Sequence, residues 1–409
     1  MTAAPVADPL AERPPRSDWR FILVIFWITS LVEGAGVSQV FAFLPNYLSQ
    51  MGVSGSDRLA FVGLFSSLIF VVGAPLVPLW GVWADKHSRK AIIIRSALVE
   101  AVVFTAVALS NAPWQLALSL LLAGLQLGNT GVMLAAIRDV TPRARLGAAI
   151  GFFGSSTVIG FALGPIVGGL IVDGLGQSLS VMFVVSAVAS LVAAGLVGLT
   201  REVRPTVVPQ GGVLRLAYGA VRAVIDDPSV RRLFLIYFVA FLANQMSRPF
   251  VPVLIENIVG TGPGLASSIG LVTGVAALIG ALSSPIGGFS GDRFGFRSVL
   301  VVGLVGGAVA IALQPWLPSL LLLALGVLAF VAFNGIIGPM IFSLLATEVP
   351  SERRSTTLNL VYLPLYAAGI IGPATGALTT SIAGVSGPFT LAAIVLGVGA
   401  LAIVIARRR

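Results

Sequence analysis

The chain has 409 residues, 57% hydrophobic and 10% charged, with a mean hydropathy of +1.00; soluble domains carry about 25% charged residues, so composition excludes an ordinary soluble protein. The net charge of +9 comes from basic residues dispersed over many short loops, which excludes a nucleic-acid-binding patch. Cysteine is absent and His87 is the single histidine, so disulfides, thiolate metal sites, thiol nucleophiles and nearly all imidazole chemistry fall away.

Residues 1–18 are rich in Ala, Pro and charge without apolar periodicity, which predicts a disordered cytoplasmic tail. Apolar runs long enough to cross a bilayer, about 20 residues each, then recur along the chain. Span 1, 20–48, is far longer than the apolar region of a cleavable signal and reads as a membrane helix. It carries Glu33, which lies about 21 Å in from Trp19 at 1.5 Å per residue, near the midplane. Gly34 and Gly36 flank that carboxylate, and Gln39, Phe41 and Phe43 follow it.

Span 2, 59–83, runs into the loop Gly81-Val82-Trp83-Ala84-Asp85-Lys86-His87-Ser88-Arg89-Lys90. Span 3, 91–110, contains Glu100, and span 4, 114–138, contains Gln126 and Asn129. Span 5, 146–172, carries Gly151, Gly160, Gly164, Pro165, Gly168 and Gly169. Glycines spaced by about four strip one helix face so that a neighbouring backbone can approach, and the proline removes an amide and bends the helix. Span 6 covers 179–200.

The polar interruption 201–231 contains Leu214, Ala217, Val221 and Val224 at helical spacing, with Arg215 and Arg222 off that stripe. This predicts an amphipathic helix on the cytoplasmic membrane surface. Span 7, 232–256, carries Arg248, with Asn244 and Gln245 one turn below and Pro249 and Pro252 predicting a bend. Span 8, 265–289, leads into Gly288-Phe289-Ser290-Gly291-Asp292-Arg293. Spans 9 to 12 cover 298–316, 319–346, 355–380 and 388–406; Asn334 lies in span 10, and Asn359, Tyr362 and Gly372-Pro373 in span 11.

All but two of the 25 Lys and Arg residues fall on one side of these twelve spans, the side of both termini, which is therefore cytoplasmic. The exceptions are Arg58, an ordinary outer-loop residue, and Arg248. Glu33, Glu100 and Arg248 each cost about 2.5–3.5 kcal/mol at the bilayer centre and need a partner, water or protonation. Glu33 reads as a proton site, a cation contact or both in competition. Arg248 reads as a binder of an anionic group, a state-dependent partner of Glu33, or a gate residue paired with Glu256 or Asp57. For Glu100 a structural role carries more weight.

The two sets of six spans also match each other. Asp85 corresponds to Asp292 at an offset of 207, Gly164-Pro165 to Gly372-Pro373 at 208, and Asp139-Val140 to Glu348-Val349 at 209. An even offset preserves orientation, so the halves are parallel repeats about an axis along the membrane normal. The expected organisation is a tail, 1–18; a six-helix bundle, 19–200; a linker, 201–231; and a second bundle, 232–409.

On these motifs the chain resembles the major facilitator superfamily over essentially its whole length. The resemblance implies an all-α integral membrane protein, twelve transmembrane helices in two pseudo-symmetric six-helix bundles. The Gly81, Asp85, Lys86, Arg89 loop, repeated with Asp292 and Arg293, resembles the family's cytoplasmic latch. It implies that Asp85 faces the start of span 11 near Ser355 and Thr356, and Asp292 the start of span 5. The span 5 glycines resemble the motif of the family's antiporters, a packing hinge between the halves. Helix 1 lines the central cavity in that family, which makes Glu33, Arg248, Gln39, Asn129, Asn244, Gln245, Asn334, Asn359 and Tyr362 the candidate proton and substrate residues. Gln126 is a further polar position, and Phe41, Phe43, Phe241 and Phe333 are candidate apolar walls. Drug exporters of the family carry an arginine linked to proton transfer where this chain has Gly124, a departure that bears on coupling.

The expected activity is secondary export of lipophilic or amphipathic small molecules by alternating access, in exchange for protons, by a monomer in a bacterial-type inner membrane. A carrier of lipids or anionic metabolites is the alternative, and a membrane enzyme or scaffold a more distant one. No cofactor or metal is expected, and no phosphate-binding loop of the Gly-x4-Gly-Lys-Ser/Thr type is present to couple ATP. The partners are a small-molecule substrate, protons and membrane lipid.

Overall fold

The computed structural model describes residues 19–205, 208, 210–226, 228–348 and 363–407, and among these the regular elements are all helical. Spans 1 to 3 form α1 (Trp19–Gln50), α2 (Gly55–Lys86) and α3 (Arg89–Leu109). Span 4 is two helices rather than one, α4 (Pro113–Ala123) and α5 (Asn129–Val140). Spans 5 and 6 form α6 (Leu146–Gly169), closed by a wide π turn at Leu170–Gly174, and α7 (Leu179–Leu199). The linker holds α8 (Val213–Ile225).

Span 7 divides into α9 (Pro228–Ser247), a tight turn at Arg248–Phe250, and α10 (Val251–Val259). Pro249 and Pro252 cannot donate backbone hydrogen bonds, so the helix breaks there. Then follow α11 (Leu265–Phe294), α12 (Phe296–Leu313), α13 (Leu320–Glu348), α14 (Leu363–Ala383) and α15 (Ser386–Arg407). Among the described residues, eleven helical stretches are long and apolar enough to cross a membrane. The remaining span is α14, whose glycines and threonines make it less apolar and whose expected first turns lie outside the described residues. Asn359, Tyr362, Ser355, Thr356 and the tail 1–18 lie outside them too.

Span 4 breaks because two glycines take conformations and spaces closed to other residues. Gly128 has φ +99°, in the left-handed region. A Cβ on Gly124 would sit 2.6 Å from the Gly73 amide nitrogen and 2.7 Å from the Ile69 carbonyl oxygen, so α2 and the end of α4 touch backbone to backbone. A single glutamine among glycines and leucines in Gly124-Leu125-Gln126-Leu127-Gly128 leaves the apolar run long enough to conceal this kink. The break releases two carbonyls: Gln126 accepts from the Ser96 hydroxyl, and Leu127 from Arg95 Nη2 at 3.2 Å.

Within the first half α1 packs on α6, α3 on α7 and α2 on α4; within the second, α9 packs on α14, α11 on α13, and α12 on α13 and α15. The halves meet along two seams, α6 with α11 and α2 with α14. Each seam is built the same way. A Cβ on Gly63 of α2 would overlap the Pro373 carbonyl oxygen of α14, and one on Gly270 of α11 would overlap the Pro165 carbonyl oxygen of α6. The span 5 glycines thus divide between two neighbours. Gly160 and Gly164 seat α1 at Leu31 and Ala35, while Gly169 seats α11 at Ala266 and Ser267. Gly168 faces Phe43 and Met182, and Gly151 has open space beside it.

Both seams lie toward the face opposite the basic loops. There Arg58 Nη1 meets Glu256 Oε1 at 2.8 Å, and the Ser267 amide donates to Asp173 Oδ2 at 2.7 Å. One apolar core, including Phe43, Phe65, Phe250 and Ile255, runs across both halves at this end. At the basic end the first half has a separate core around Ile22, Phe26, Ile93 and Met133. The molecule is sealed at the face opposite its basic loops.

Candidate functional site

A cavity of about 200 Å³ opens between the halves, room for a small organic ion. Helix α1 contributes Ser38 and Phe41, and α6 contributes Phe161 and Pro165; Asn244, Ser247 and Arg248 come from the end of α9 and its turn. Thr273 of α11 and Phe330 of α13 line it from the second half. The break at Pro249 and Pro252 is what turns Arg248 into this space. Its guanidinium carbon lies 4.5 Å from the Phe41 ring centre and 4.8 Å from that of Phe161, a cation held by aromatic rings of the other half.

In this structure Arg248 is bonded to neither Glu33 nor Glu256; Arg58 holds Glu256 Oε1, and Glu256 Oε2 is buried without a partner. Arg58 is therefore a link between the halves rather than an ordinary loop residue. Phe41, Asn244 and Arg248 are the expected site residues that line the cavity. Gln39 points elsewhere: its amide donates to the Gly164 carbonyl at 3.1 Å and accepts from the Ser186 hydroxyl at 2.6 Å, tying α1 to α6 and α7. Gln245 is buried against Gly372 of α14. Asn334 accepts from Asn244 Nδ2 at 3.1 Å, joining α13 to the cavity wall. Phe43 is fully buried, Phe333 packs on Gly306, and Phe241 meets Tyr237 edge to face.

A second polar group surrounds Glu33, two turns along α1 from Phe41. Glu33 Oε2 accepts from Asn129 Nδ2 at 2.9 Å. Asn129 opens α5 directly after the left-handed Gly128, so the broken span 4 is what presents it. Arg95 lies within electrostatic reach of the same carboxylate, its guanidinium carbon 3.8 Å from the centre of the Trp80 ring. Two of its nitrogens, Nε and Nη1, are buried without a hydrogen-bond partner. Glu100, 3% exposed, accepts from the Ser190 hydroxyl at 3.1 Å through Oε2, and its Oε1 has no partner. The buried side-chain oxygen of Gln126 is also unpaired.

Arg95, Ser38 and Phe161 escape the sequence reading. Arg95 counts there among the topology-setting basic residues, although it stands six residues inside α3; that depth was the available signal. Phe161 and Ser38 carried none, since an apolar or small residue in an apolar helix does not announce its face.

A third cluster ties the basic loops together. Arg89, with its side chain 2% exposed, pairs with Asp85 at 2.9 Å and Asp139 at 2.7 Å. Glu202 accepts from the Ser88 hydroxyl and from the Arg89 amide at 2.9 Å. Lys86 donates to the Gly211 carbonyl of the linker. Asp85 is thus bonded inside its own half, and its expected contact at the start of span 11 falls outside the described residues. Asp292 and Arg293 are exposed; Arg293 lies over Phe294, and among the described residues no hydrogen bond or ion pair joins Asp292 to the start of α6. Gly81 has open space around it.

A family model described as the Major Facilitator Superfamily matches residues 26–228 and 233–409. Multidrug resistance protein MdtG of Klebsiella pneumoniae (strain 342) is 29% identical over 339 residues, covering 82% of this chain and 81% of that protein. A multi-drug resistance efflux pump PmrA homolog of Lactococcus lactis subsp. lactis (strain IL1403) is 27% identical over 372 residues, covering 88% and 91%. Among solved structures, a point mutant of the nucleoside transporter NupG aligns with a TM-score of 0.79 at 15% identity, covering 94% of this chain and 99% of that one. A bacterial homolog of the human lysosomal transporter Spinster, inward-facing and occupied, aligns with a TM-score of 0.79 at 17% identity, covering 97% and 98%.

Proposed function

The chain belongs to the Major Facilitator Superfamily, and from that premise we propose that it exports amphipathic small molecules in exchange for protons by alternating access. It acts as a monomeric carrier, not an enzyme, in a bacterial inner membrane with both termini and the basic loops in the cytoplasm. The observation that carries the reading is the arrangement on α1. One helix bears Phe41 on the cavity between the halves and, eight residues earlier, Glu33 on a separate polar cluster. At 1.5 Å per residue the two lie about 12 Å apart along the axis. A shift of α1 that alters the Glu33 environment therefore also alters the cavity wall.

The names of the relatives, multidrug resistance and multidrug efflux proteins, support the efflux direction. The seal at the face opposite the basic loops is one end state of a rocking cycle, in which the α6–α11 and α2–α14 seams must part. Glu33 takes a proton when exposed to the outside and releases it inside. The test is transport by the purified protein in liposomes. Glu33→Gln is expected to abolish pH-gradient-driven transport while the protein remains folded and monodisperse. Undiminished pH-driven transport by that variant overturns the assignment of Glu33.

A further inference from the structure

We propose that the cavity between the halves is a binding site for amphipathic organic anions, with Arg248 receiving the carboxylate, sulfonate or phosphonate group. The inference rests on the carrier reading above and names its substrate class. Three observations carry it.

The lining contains one charged side chain, Arg248, and no acid. Glu256, which is not in the lining, gives its Oε1 to Arg58 at 2.8 Å, and its buried Oε2 makes no bond to Arg248. Glu33 belongs to the other cluster, held by Asn129 at 2.9 Å. An acid in the wall would favour a cation, and this wall carries the opposite charge.

The hydroxyl groups of the wall direct their donors to their own helices, and each wall amide, Asn244 and Gln314, directs one N–H away, Gln314 Nε2 to the Gly326 carbonyl at 3.4 Å. Ser38 Oγ donates to the Ala35 carbonyl at 2.9 Å, Ser247 Oγ to Ala243 at 3.2 Å and Thr273 Oγ1 to Ile269 at 2.6 Å. Asn244 Nδ2 donates to Asn334 at 3.1 Å. Among the described residues Arg248 makes no hydrogen bond or ion pair. Its two ring contacts, with Phe41 and Phe161, hold the cation without consuming an N–H. A planar guanidinium held in this way keeps its donors for a bidentate anion.

The surroundings then set the rest of the ligand. Phe41, Phe161, Phe330 and Val327 supply apolar walls from both halves, so an aromatic or alkyl body lies beside the anionic group. An anion here bridges Arg248 of the second half and the rings of the first, which makes its binding sensitive to how the halves are set.

The test compares two bicyclic ions of similar size and opposite charge, naphthalene-2-sulfonate and N-methylquinolinium, on the full-length protein in lipid nanodiscs. Wild type is expected to bind the sulfonate, with no competition from the cation. Arg248→Gln is expected to weaken sulfonate binding by about 10- to 100-fold, the size of a lost hydrogen bond to a charged group. Arg248→Lys is expected to stay within about tenfold of wild type. Equal binding of both ions by wild type, no sulfonate binding at millimolar concentration, or unchanged affinity in a folded Arg248→Gln overturns the proposal. The competition needs no variant, so a misfolded mutant does not protect the claim. Counterflow in liposomes separates this inference from its premise. Sulfonate binding without exchange of either ion leaves the anion site standing and removes the carrier reading, whereas exchange of the cation alone does the reverse.

Discussion

Arg58 of α2 and Glu256 of α10 meet at 2.8 Å across the two halves, at the face opposite the basic loops, with side chains 15% and 9% exposed. The pair is partly shielded from water, so it is stronger than a surface ion pair and dissolves when the halves separate. Removing either charge is expected to destabilise the sealed state by about 1–3 kcal/mol, the range for hydrogen bonds to charged groups. The chain contains no native cysteine, so spin labels on Ser54→Cys and Asn257→Cys, both exposed, report the gap directly. Arg58→Ala should shift the distance distribution outward, and the exchange Arg58→Glu with Glu256→Arg should restore it. An unchanged distribution in Arg58→Ala removes the gate assignment.

The seams predict a symmetric steric effect. Gly63 faces the Pro373 carbonyl and lies so that a Cβ would be 2.7 Å from Ala377 Cβ; Gly270 faces the Pro165 carbonyl in the same way. Neither carbonyl can retreat cheaply, because each belongs to a helix backbone. Gly63→Leu and Gly270→Leu should each cost about 1–3 kcal/mol of the sealed state through overpacking and should lower transport by similar factors. Gly81→Ala, with open space around it, should stay within about 0.5 kcal/mol of wild type. Thermal unfolding together with liposome transport checks all three. Unequal effects of the two seam variants would show that one seam opens without the other.

These contacts also mark how far the sequence could be read. Apolar run length and the sorting of Lys and Arg were enough for the spans, because both follow from the cost of polar groups in lipid. The repeat was legible because Gly-Pro and Gly-x3-Asp survive in both halves. Helix rotation was not legible, and rotation decides which polar residue meets the cavity. Gln39 and Gln245 turn to neighbouring helices, whereas Asn244 turns to the cavity. The break in span 4 was hidden because one glutamine among glycines and leucines does not end an apolar run, while Gly128 adopts φ +99°. Arg95 was absorbed into a charge count that assigns sides but not depth.

Gly124, the position that the family resemblance sets against an arginine of drug exporters, leads to the last prediction. A Cβ there would lie 2.6 Å from the Gly73 amide nitrogen, so no larger side chain fits against α2. Gly124→Arg is therefore expected to destabilise the protein rather than supply a missing coupling residue. The basic group near Glu33 arrives instead from α3. Arg95 stacks on Trp80 at 3.8 Å, donates to the Leu127 carbonyl at 3.2 Å and keeps two buried nitrogens unpaired. A buried guanidinium with spare donors beside a carboxylate is poised to bond it when α1 and α3 shift, which would tie the Glu33 cluster to helix movement. Arg95→Gln should then slow pH-gradient-driven transport while leaving counterflow, which needs no net proton movement, near the wild-type rate. Arg95→Lys should fall between the two, since it keeps the charge and loses the planar stack. Equal loss of counterflow and of pH-driven transport in a folded Arg95→Gln would mean that Arg95 supports the kink in span 4 and takes no part in coupling.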